Sequence, residues 1–154
     1  MKNSKAKGDV SEGFVIAQLL KLGYALSIPF GDNQRYDLIV DDGERLWRAQ
    51  VKTARLRDGC LVFNTTSQNV LTGARRGYRG EIDLFLAYSP DTERVYCVLI
   101  EAAGATEMWL RVDPPAYEAR RRTAKWARDY ELVGQAGFEP AADSRDIGSA
   151  LSPD

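Results

Sequence analysis

The chain has 154 residues, a formal net charge of −1 and a hydrophobic fraction of 44%, which is typical of one globular domain with its own core. It contains no histidine, which excludes Ser-His and Cys-His nucleophile pairs, histidine general bases and histidine zinc ligands. Any catalysis must therefore use carboxylates, lysine, tyrosine, an amide or a metal ion held by oxygen ligands.

Features of membrane and secreted proteins are missing from the sequence. No apolar run approaches the roughly 18 residues of a membrane span, and the apolar segment of a secretory signal does not follow residues 1–5. Cys60 and Cys97 lack the spacing of a metal site, so we interpret both as reduced core residues. We expect a cytoplasmic, intracellular protein with no membrane partner.

The near-neutral net charge hides an uneven distribution of charge along the chain. Residues 45–80 carry eight lysines and arginines and one acid, Asp58, whereas residues 129–154 carry six acids and one base, Arg145. The middle of the chain is therefore suited to a polyanion such as nucleic acid. A solvated basic surface is the alternative interpretation.

The first predicted element is a helix over residues 4–23, where apolar side chains recur at helical spacing and Gly23 is a stop signal. Glu12 interrupts the apolar face of this helix. It is either a solvated acid or a carboxylate turned toward a site. A short strand over residues 24–30 and a turn over 31–34 are predicted next.

A β-hairpin is predicted over residues 35–53, where two runs of β-branched and aromatic residues flank a cluster of turn formers. A two-residue turn that begins at Gly43 pairs Asp37 with Gln50 across the strands. A turn that begins one residue earlier places Asp37 opposite Arg48 instead. The sequence leaves both registers open.

The first of these registers would bring three kinds of side chain to one surface. Lys52 lies two residues beyond Gln50, and strand alternation places both on the same face. Asp37 would then share that face, so a carboxylate, an amide and an ammonium would be neighbours.

Further strands are predicted at residues 61–63, 82–88, 95–100 and 107–112, and a helix is predicted from Asp113 to about residue 130. Poor alternation in the two middle strands indicates that both of their faces are covered. Asp83 begins one of these apolar strands, and we interpret it as a hydrogen-bonded structural acid.

Residues 72–80 combine glycines with three arginines and a tyrosine, and are predicted to form an irregular loop. Arginine on a flexible backbone suits contact with phosphates and bases. A mobile surface loop is the alternative. The basic side of the predicted C-terminal helix is a second candidate for contact with nucleic acid.

Glu12 on a helix, Asp37 on one strand and Gln50-Val51-Lys52 on the next resemble the motif of the PD-(D/E)XK nuclease superfamily. That motif has an acid at the start of one strand and acid-X-Lys on the next. In this sequence Tyr36 stands in place of the proline, and Gln50 stands in place of the second acid. The group I intron-associated homing endonucleases of the superfamily share this glutamine, and their downstream pattern is similar to residues 81–85, 95–98 and 126–131.

The resemblance covers residues 4–131 and implies an α/β fold with a restriction-endonuclease-like core, in which helices flank a mixed central β-sheet. We therefore expect a nuclease-like domain over residues 1–131. The Gly-, Ser-, Pro- and Asp-rich remainder, residues 132–154, is predicted to be a disordered tail.

The resemblance also implies a site-specific endonuclease that hydrolyses phosphodiester bonds in double-stranded DNA with Mg²⁺, or with Mn²⁺ as a substitute. Asp37 would be the central metal ligand, and Glu12 and Gln50 would be further ligands. Lys52 would complete the catalytic set by stabilising charge at the phosphate or the attacking water. The expected DNA-binding residues are arginines: Arg35, Arg48, Arg55, Arg57, Arg75, Arg76 and Arg79.

Two other functions fit the same residues. One is a Holliday-junction resolvase of the same superfamily, and the other is a non-cleaving DNA-binding protein in which Gln50 marks a decayed site. For a nuclease we expect a homodimer or homotetramer, because one site cuts one strand and a double-strand break needs two. Its expected location is the nucleoid.

Overall fold

The computed structural model describes residues 3–134 and residue 138, which form three sheets, three α-helices and one short 3-10 helix. The α-helices of the described chain are α1 (Ser4–Lys21), α2 (Glu118–Arg121) and α3 (Ala127–Tyr130), and the 3-10 helix is Ile100–Ala102. The strands are β1 (Ala25–Ser27), β2 (Leu38–Asp41), β3 (Leu46–Thr53), β4 (Arg55–Arg57), β5 (Cys60–Asn64), β6 (Ser67–Gln68), β7 (Arg75–Arg76), β8 (Leu84–Ser89), β9 (Arg94–Leu99) and β10 (Glu107–Arg111).

α1 forms where the sequence predicts it, and its ends are closed by local hydrogen bonds. The side chain of Asn3 caps the start of the helix by accepting a hydrogen bond from the N–H of Lys5 (3.0 Å). At the other end Gly23 adopts a left-handed conformation (φ 92°), and the N–H of Tyr24 donates to the carbonyl of Leu19 (3.1 Å). This closure turns the chain directly into β1.

The central sheet is mixed and has the strand order β1-β2-β3-β8-β9. β3 and β8 run parallel, and the other neighbours are antiparallel. Since parallel neighbours need a crossover connection, the chain between them, residues 54–83, leaves the central sheet. It forms β4 and β5 of the second sheet and the β6–β7 hairpin.

The β2–β3 hairpin has the register of the turn that begins at Gly43. Leu38 pairs with Ala49, and the N–H of Asp42 donates to the carbonyl of Arg45 (3.2 Å). Gly43 supplies the positive φ of 92° that this turn needs. The alternative register, with Asp37 opposite Arg48, is wrong.

Apolar side chains cover both faces of the central sheet, as the poor alternation in β8 predicted. On one face α1 packs Val15 and Leu19 against the sheet, and both are fully buried. On the other face Phe63 of β5 and Met108 of β10 pack against Phe85 of β8. Two faces of apolar contact fix the position of β3, which carries the predicted site residues.

The helix predicted from Asp113 to about residue 130 is wrong. Only α2 and α3 are helical in that stretch, with four residues each, and the chain between them turns at residues 122–123 and then passes beside β10. There the N–H of Arg111 donates to the carbonyl of Lys125 (2.7 Å), and Trp126 forms a bridge with Arg111. The edge strand β10 offers unpaired backbone groups, whereas the run of arginines in α2 has no apolar stripe to hold a long helix on the core.

Other predicted elements differ in extent. The strand expected over residues 24–30 is limited to the three residues of β1. The loop predicted at residues 72–80 contains a short strand, β7, which pairs with β6. Residues 67–76 therefore form a hairpin, called the β6–β7 hairpin below.

The packed part of the chain extends past the predicted boundary at residue 131. Leu132 is buried, and its N–H donates to the carbonyl of Val95 (2.9 Å). Phe138 stacks on Tyr24, with ring centroids 5.1 Å apart, and meets Trp47 edge-on. The disorder predicted for the rest of residues 132–154 lies outside the described residues.

Both cysteines of the chain are free thiols. Burial raises the pKa of Cys97 to about 12, so this side chain stays a protonated thiol at neutral pH and is a poor metal ligand. Among the helices that the structure describes, none has the length and hydropathy of a membrane span.

Candidate active site

Asp37 lies at the open end of the β2–β3 hairpin, one residue before β2, and two hydrogen bonds fix it against β3. Its N–H donates to the carbonyl of Ala49 (2.9 Å), and its Oδ2 accepts from the N–H of Val51 (2.9 Å). These two partners flank Gln50 in the sequence, so Asp37 is held beside Gln50, as the confirmed register requires. Among residues 3–134, no hydrogen bond engages the second oxygen of this carboxylate.

Glu12 lies close enough to Asp37 for the two carboxylates to repel each other. Burial raises the pKa of Glu12, and the charges of Asp37 and Asp9 raise it further. α1 is anchored at this point, because the hydroxyls of Ser11 and Thr53 are hydrogen-bonded (2.5 Å). The helix therefore carries Glu12 to the end of β3 where Asp37 lies.

The pKa of Asp37 is also raised, and burial is again the largest cause. The hydrogen bond from Val51 and the nearby charge of Lys52 act in the opposite direction without cancelling it. A cation bound between two partly buried carboxylates with raised pKa values would stabilise their charged forms.

Gln50 and Lys52 occupy alternate positions of β3 and share the face that β5 and β10 cover. In the parallel pairing with β8, Gln50 lies beside Phe85 and Lys52 beside Ala87. Both side chains are half-buried. The prediction that they share a face with Asp37 at the hairpin end agrees with this register.

The donor set at this site suits a hard divalent cation. Two carboxylates, on Glu12 and Asp37, and the amide oxygen of Gln50 are the oxygen ligands that Mg²⁺ accepts. Within the described residues there is no cluster of three or more His, Cys, Asp or Glu side chains arranged as a metal site. Gln50, as an amide, is not among these residue types.

Tyr78 is a component of the site that the sequence did not reveal. Lys52 Nζ donates a hydrogen bond to the Tyr78 hydroxyl (3.2 Å) and lies 4.9 Å from the centre of its ring. A second, longer contact joins Lys52 Nζ to the carbonyl of Thr66 (3.5 Å). The only sequence signal was a tyrosine among arginines and glycines, and that pattern pointed to a nucleic-acid contact.

Arg35 and Arg48, two of the expected DNA-binding residues, are engaged within the protein. Arg35 Nε lies 3.1 Å from Glu81 Oε2 in an ion pair that is not aligned as a hydrogen bond, while its Nη1 donates to Ser67 Oγ (2.7 Å). Arg48 Nη2 donates to Asp83 Oδ1 (3.2 Å). Both guanidinium groups therefore form structural contacts within the protein, next to the candidate site.

Asp83 is the structural acid that the sequence predicted. Its Oδ2 accepts a hydrogen bond from the backbone N–H of Arg48 (2.8 Å), and Arg45 Nη2 lies 3.6 Å from Oδ1. Burial alone would raise the pKa of Asp83, but the hydrogen bonds from the side chain and backbone of Arg48 outweigh it and hold the pKa below its usual range.

The other five predicted DNA-binding arginines are exposed: Arg55, Arg57, Arg75, Arg76 and Arg79. Arg55 and Arg57 belong to β4. Arg75 and Arg76 form β7, and Arg76 Nη2 lies 2.8 Å from Glu81 Oε1 while its side chain remains 67% exposed.

Comparison with known proteins gives one family and a structural relative. A family profile described as PD-(D/E)XK endonuclease matches residues 2–133. The solved structure of I-Ssp6803I, a bacterial homing endonuclease, superposes with a TM-score of 0.64 at 24% sequence identity, over 85% of this chain and 88% of that chain. No curated protein sequence matches. The structural likeness confirms the predicted α/β fold with a mixed central sheet.

Proposed function

Because the chain belongs to the family of PD-(D/E)XK endonucleases, we propose that it cleaves double-stranded DNA at specific sequences in a Mg²⁺-dependent reaction. That membership confirms the resemblance inferred from the sequence. The observation that carries the proposal is the position of Asp37, which is hydrogen-bonded against β3 beside Gln50 and lies near enough to Glu12 and Lys52 for their charges to interact.

Asp37, Glu12 and Gln50 would hold the metal ion in this proposal. When bound, the ion would lower the pKa of a coordinated water and neutralise charge on the scissile phosphate. The hydrogen bond from Val51 orients Asp37 before any ligand arrives. The amide of Gln50 is neutral. The ligand set therefore carries one negative charge fewer than a set with an acid at position 50.

Lys52 would supply the fixed positive charge of the site. Phosphodiester hydrolysis builds negative charge on the phosphate oxygens, and a preorganised cation lowers the energy of that state. The ammonium is held by Tyr78 and Thr66 on one side, and it lies near enough to Asp37 to influence its pKa. It can therefore act on the same phosphate as a metal ion bound to Asp37.

The β6–β7 hairpin is the proposed DNA contact. The stretch of residues 59–80, which contains it, has no acidic side chain and includes Arg75, Arg76 and Arg79. Hydrogen bonds shape the tip of the hairpin, because Asn69 Oδ1 accepts from the N–H of Leu71 (2.8 Å). A two-stranded ribbon of this kind fits the major groove of B-DNA.

DNA binding should weaken steeply as salt rises, because arginines that neutralise phosphates release counterions. We expect the double variant Arg75→Ala with Arg76→Ala to reduce the slope of log affinity against log salt by about two, roughly 0.9 for each lost phosphate contact. Fluorescence anisotropy of a labelled duplex at a series of salt concentrations measures the slope.

Arg120→Ala with Arg121→Ala is the matched control for this measurement, since it removes the same charge from the exposed part of α2. The control should leave the slope unchanged. A smaller slope in the control, with no change in the β7 variant, would move the DNA contact to α2.

Metal binding should depend on pH in a direction set by the acidic pair. Because the pKa values of Glu12 and Asp37 are both raised, protons compete with Mg²⁺ at pH values above the ordinary carboxylate range near about 4. Apparent Mg²⁺ affinity should rise as pH rises through the raised pKa values and then become constant. Calorimetric titration with Mg²⁺ in two buffers of different ionisation enthalpy measures affinity and proton release together.

The raised pKa values of Glu12 and Asp37 have the opposite consequence for the stability of the metal-free protein, which falls as pH rises. A raised pKa means that the folded chain binds the proton more tightly than the unfolded chain, so this pair's favourable contribution is lost as pH rises. Glu12→Gln should therefore stabilise the metal-free protein at neutral pH while weakening Mg²⁺ binding. Mg²⁺ affinity that does not change with pH would contradict the proposed ligand pair.

A single cleavage experiment tests the proposed function against its alternatives. The protein is incubated with Mg²⁺ and a plasmid library of random inserts, a linear duplex or a four-way junction, and the product ends are sequenced. We expect cleavage of both strands at a restricted set of sequences. Cutting of the junction alone would identify a resolvase, and binding without cutting of any substrate would identify a DNA-binding protein with a decayed site.

The plasmid products also show how many subunits act together during cleavage. We propose at least a homodimer, because one site cuts one strand and two sites related by symmetry are needed to cut both in one encounter. Direct conversion of supercoiled to linear plasmid supports two coupled sites. Accumulation of nicked plasmid before any linear product would indicate that the protein acts as a monomer.

A further inference from the structure

We propose that Tyr78 is a positioning residue that holds the Lys52 ammonium in its working orientation through the tyrosine hydroxyl. The proposal rests on the proposed nuclease function for its effect on cleavage. Its structural basis is a set of contacts among β3, β8 and the chain that follows the β6–β7 hairpin.

Lys52 has a flexible four-carbon stem, so its charge is useful to a reaction only where neighbours restrict it. Of its two hydrogen bonds in the described structure, the one to Tyr78 is the shorter, at 3.2 Å against 3.5 Å for Thr66. The ammonium also lies over the Tyr78 ring, 4.9 Å from its centre, where a cation is attracted to the aromatic face. One residue therefore holds Lys52 by two kinds of contact.

Tyr78 can position a neighbour because its own ring is fixed. Only 5% of the residue is exposed, and the ring meets Phe85 edge-on with centroids 5.6 Å apart. The guanidinium carbon of Arg35 lies 4.1 Å from the ring centre. Arg35 is itself tied down, because its Nη2 donates to the carbonyl of Gly77 (2.8 Å), next to Tyr78 in the chain.

The contacts also connect Tyr78 to the proposed ligand residues. Phe85, which packs on the ring, is the β8 partner of Gln50, and Lys52 is two residues further along β3. Tyr78 thus lies below the row of site residues, on the face of the central sheet that α1 does not cover. It has no part in the proposed metal ligation.

Tyr78→Phe tests the proposal, because it removes the hydroxyl and retains the ring. Tyr96→Phe is the matched control: Tyr96 is 3% exposed in the same apolar cluster, and its hydroxyl is hydrogen-bonded to Thr92 (3.0 Å) instead of to a site residue. Both variants lose one buried hydroxyl, so effects on general stability should be similar.

Single-turnover cleavage at saturating DNA should be about 10-fold slower in Tyr78→Phe, the scale found when the partner of a site residue is lost. The DNA dissociation constant should not change, and Tyr96→Phe should cleave at the parent rate. In a Lys52→Ala background, adding Tyr78→Phe should have no further effect, because the hydroxyl acts through Lys52. Parent-rate cleavage by Tyr78→Phe, or an equal loss in both backgrounds, would overturn the proposal.

A second measurement does not depend on cleavage. Nitrogen-15 relaxation of the Lys52 ammonium in the metal-free protein should show greater mobility in Tyr78→Phe than in the parent, and no change in Tyr96→Phe. Unchanged mobility in Tyr78→Phe would overturn the positioning role. If the parent protein cleaves no DNA but the mobility rises as expected, the proposed function fails and the role of Tyr78 stands.

Discussion

Asp37→Asn should abolish Mg²⁺-dependent cleavage and preserve DNA binding. Hard divalent cations prefer carboxylate to amide oxygen, and Gln50 already supplies an amide to the same site. The variant would therefore leave Glu12 as the one carboxylate of the proposed ligand set. The loss of negative charge near an incoming phosphate should also tighten DNA binding modestly.

The fold should survive this change because asparagine has nearly the shape of aspartate. Its side-chain oxygen can still accept the hydrogen bond from the N–H of Val51. Removal of the Asp37 charge also removes one of the causes that raise the pKa of Glu12, so Glu12 should ionise at lower pH in the variant. This shift gives an independent check that the two carboxylates are neighbours.

Asp41→Asn is the matched control, because Asp41 lies on β2 and its Oδ1 caps the turn by accepting from the N–H of Gly43 (2.8 Å). An asparagine oxygen can do the same, so this variant should cleave normally. Plasmid cleavage, circular dichroism and duplex anisotropy compare the two variants. Cleavage by Asp37→Asn at the parent rate would show that the metal site is elsewhere in the chain.

Lys52→Ala should reduce the single-turnover rate by at least about 100-fold, the loss expected when one preorganised stabilising group is removed. Its effect on folding should be small, because the two partners of the ammonium, Tyr78 and Thr66, carry no charge that would be left unpaired. Mg²⁺ affinity should not fall, since lysine is not a ligand and its positive charge near Asp37 opposes a bound cation. DNA affinity should fall by no more than the loss of one phosphate contact allows.

Lys125→Ala is the control for this variant, since Lys125 Nζ also donates to a backbone carbonyl, that of Ala102 (3.1 Å), outside the proposed site. Cleavage rates and circular dichroism are measured for both. Turnover close to the parent value in a folded Lys52→Ala protein would remove Lys52 from the mechanism, and with it the reason for Tyr78 to hold it.

Local patterns in the sequence were sufficient to predict the hairpin that carries the site. Two runs of β-branched and aromatic residues on either side of a turn cluster predicted β2 and β3, and the choice between the two registers depended on side chains at the turn. Asp42 Oδ1 accepts from the N–H groups of Glu44 and Arg45, and its Oδ2 accepts from the indole of Trp47 (2.8 Å). These bonds favour the turn that begins at Gly43. The sequence alone does not select this turn, because Asp41 precedes the alternative turn as Asp42 precedes this one.

Such local patterns did not predict contacts between distant parts of the chain. Tyr78 meets Lys52 across 26 residues, and Arg35 meets Ser67 across 32. The sequence also does not show which arginines are engaged within the protein, as Arg35 is with Glu81 and Arg48 is with Asp83. The false helix after Asp113 has the same origin, since a backbone pairing between Arg111 and Trp126 has no signal in either segment.

The tip of the β6–β7 hairpin makes the protein divisible into two fragments. Val70 and Leu71 at this tip are 98% and 95% exposed, so a break in the chain between them removes no buried contact. The first fragment would carry Glu12, Asp37, Gln50 and Lys52, and the second would carry Tyr78 and β8. Because β3 and β8 pair in parallel along the middle of the central sheet, we expect the proposed site to form only when the fragments reassemble, and partners fused to them would control that reassembly.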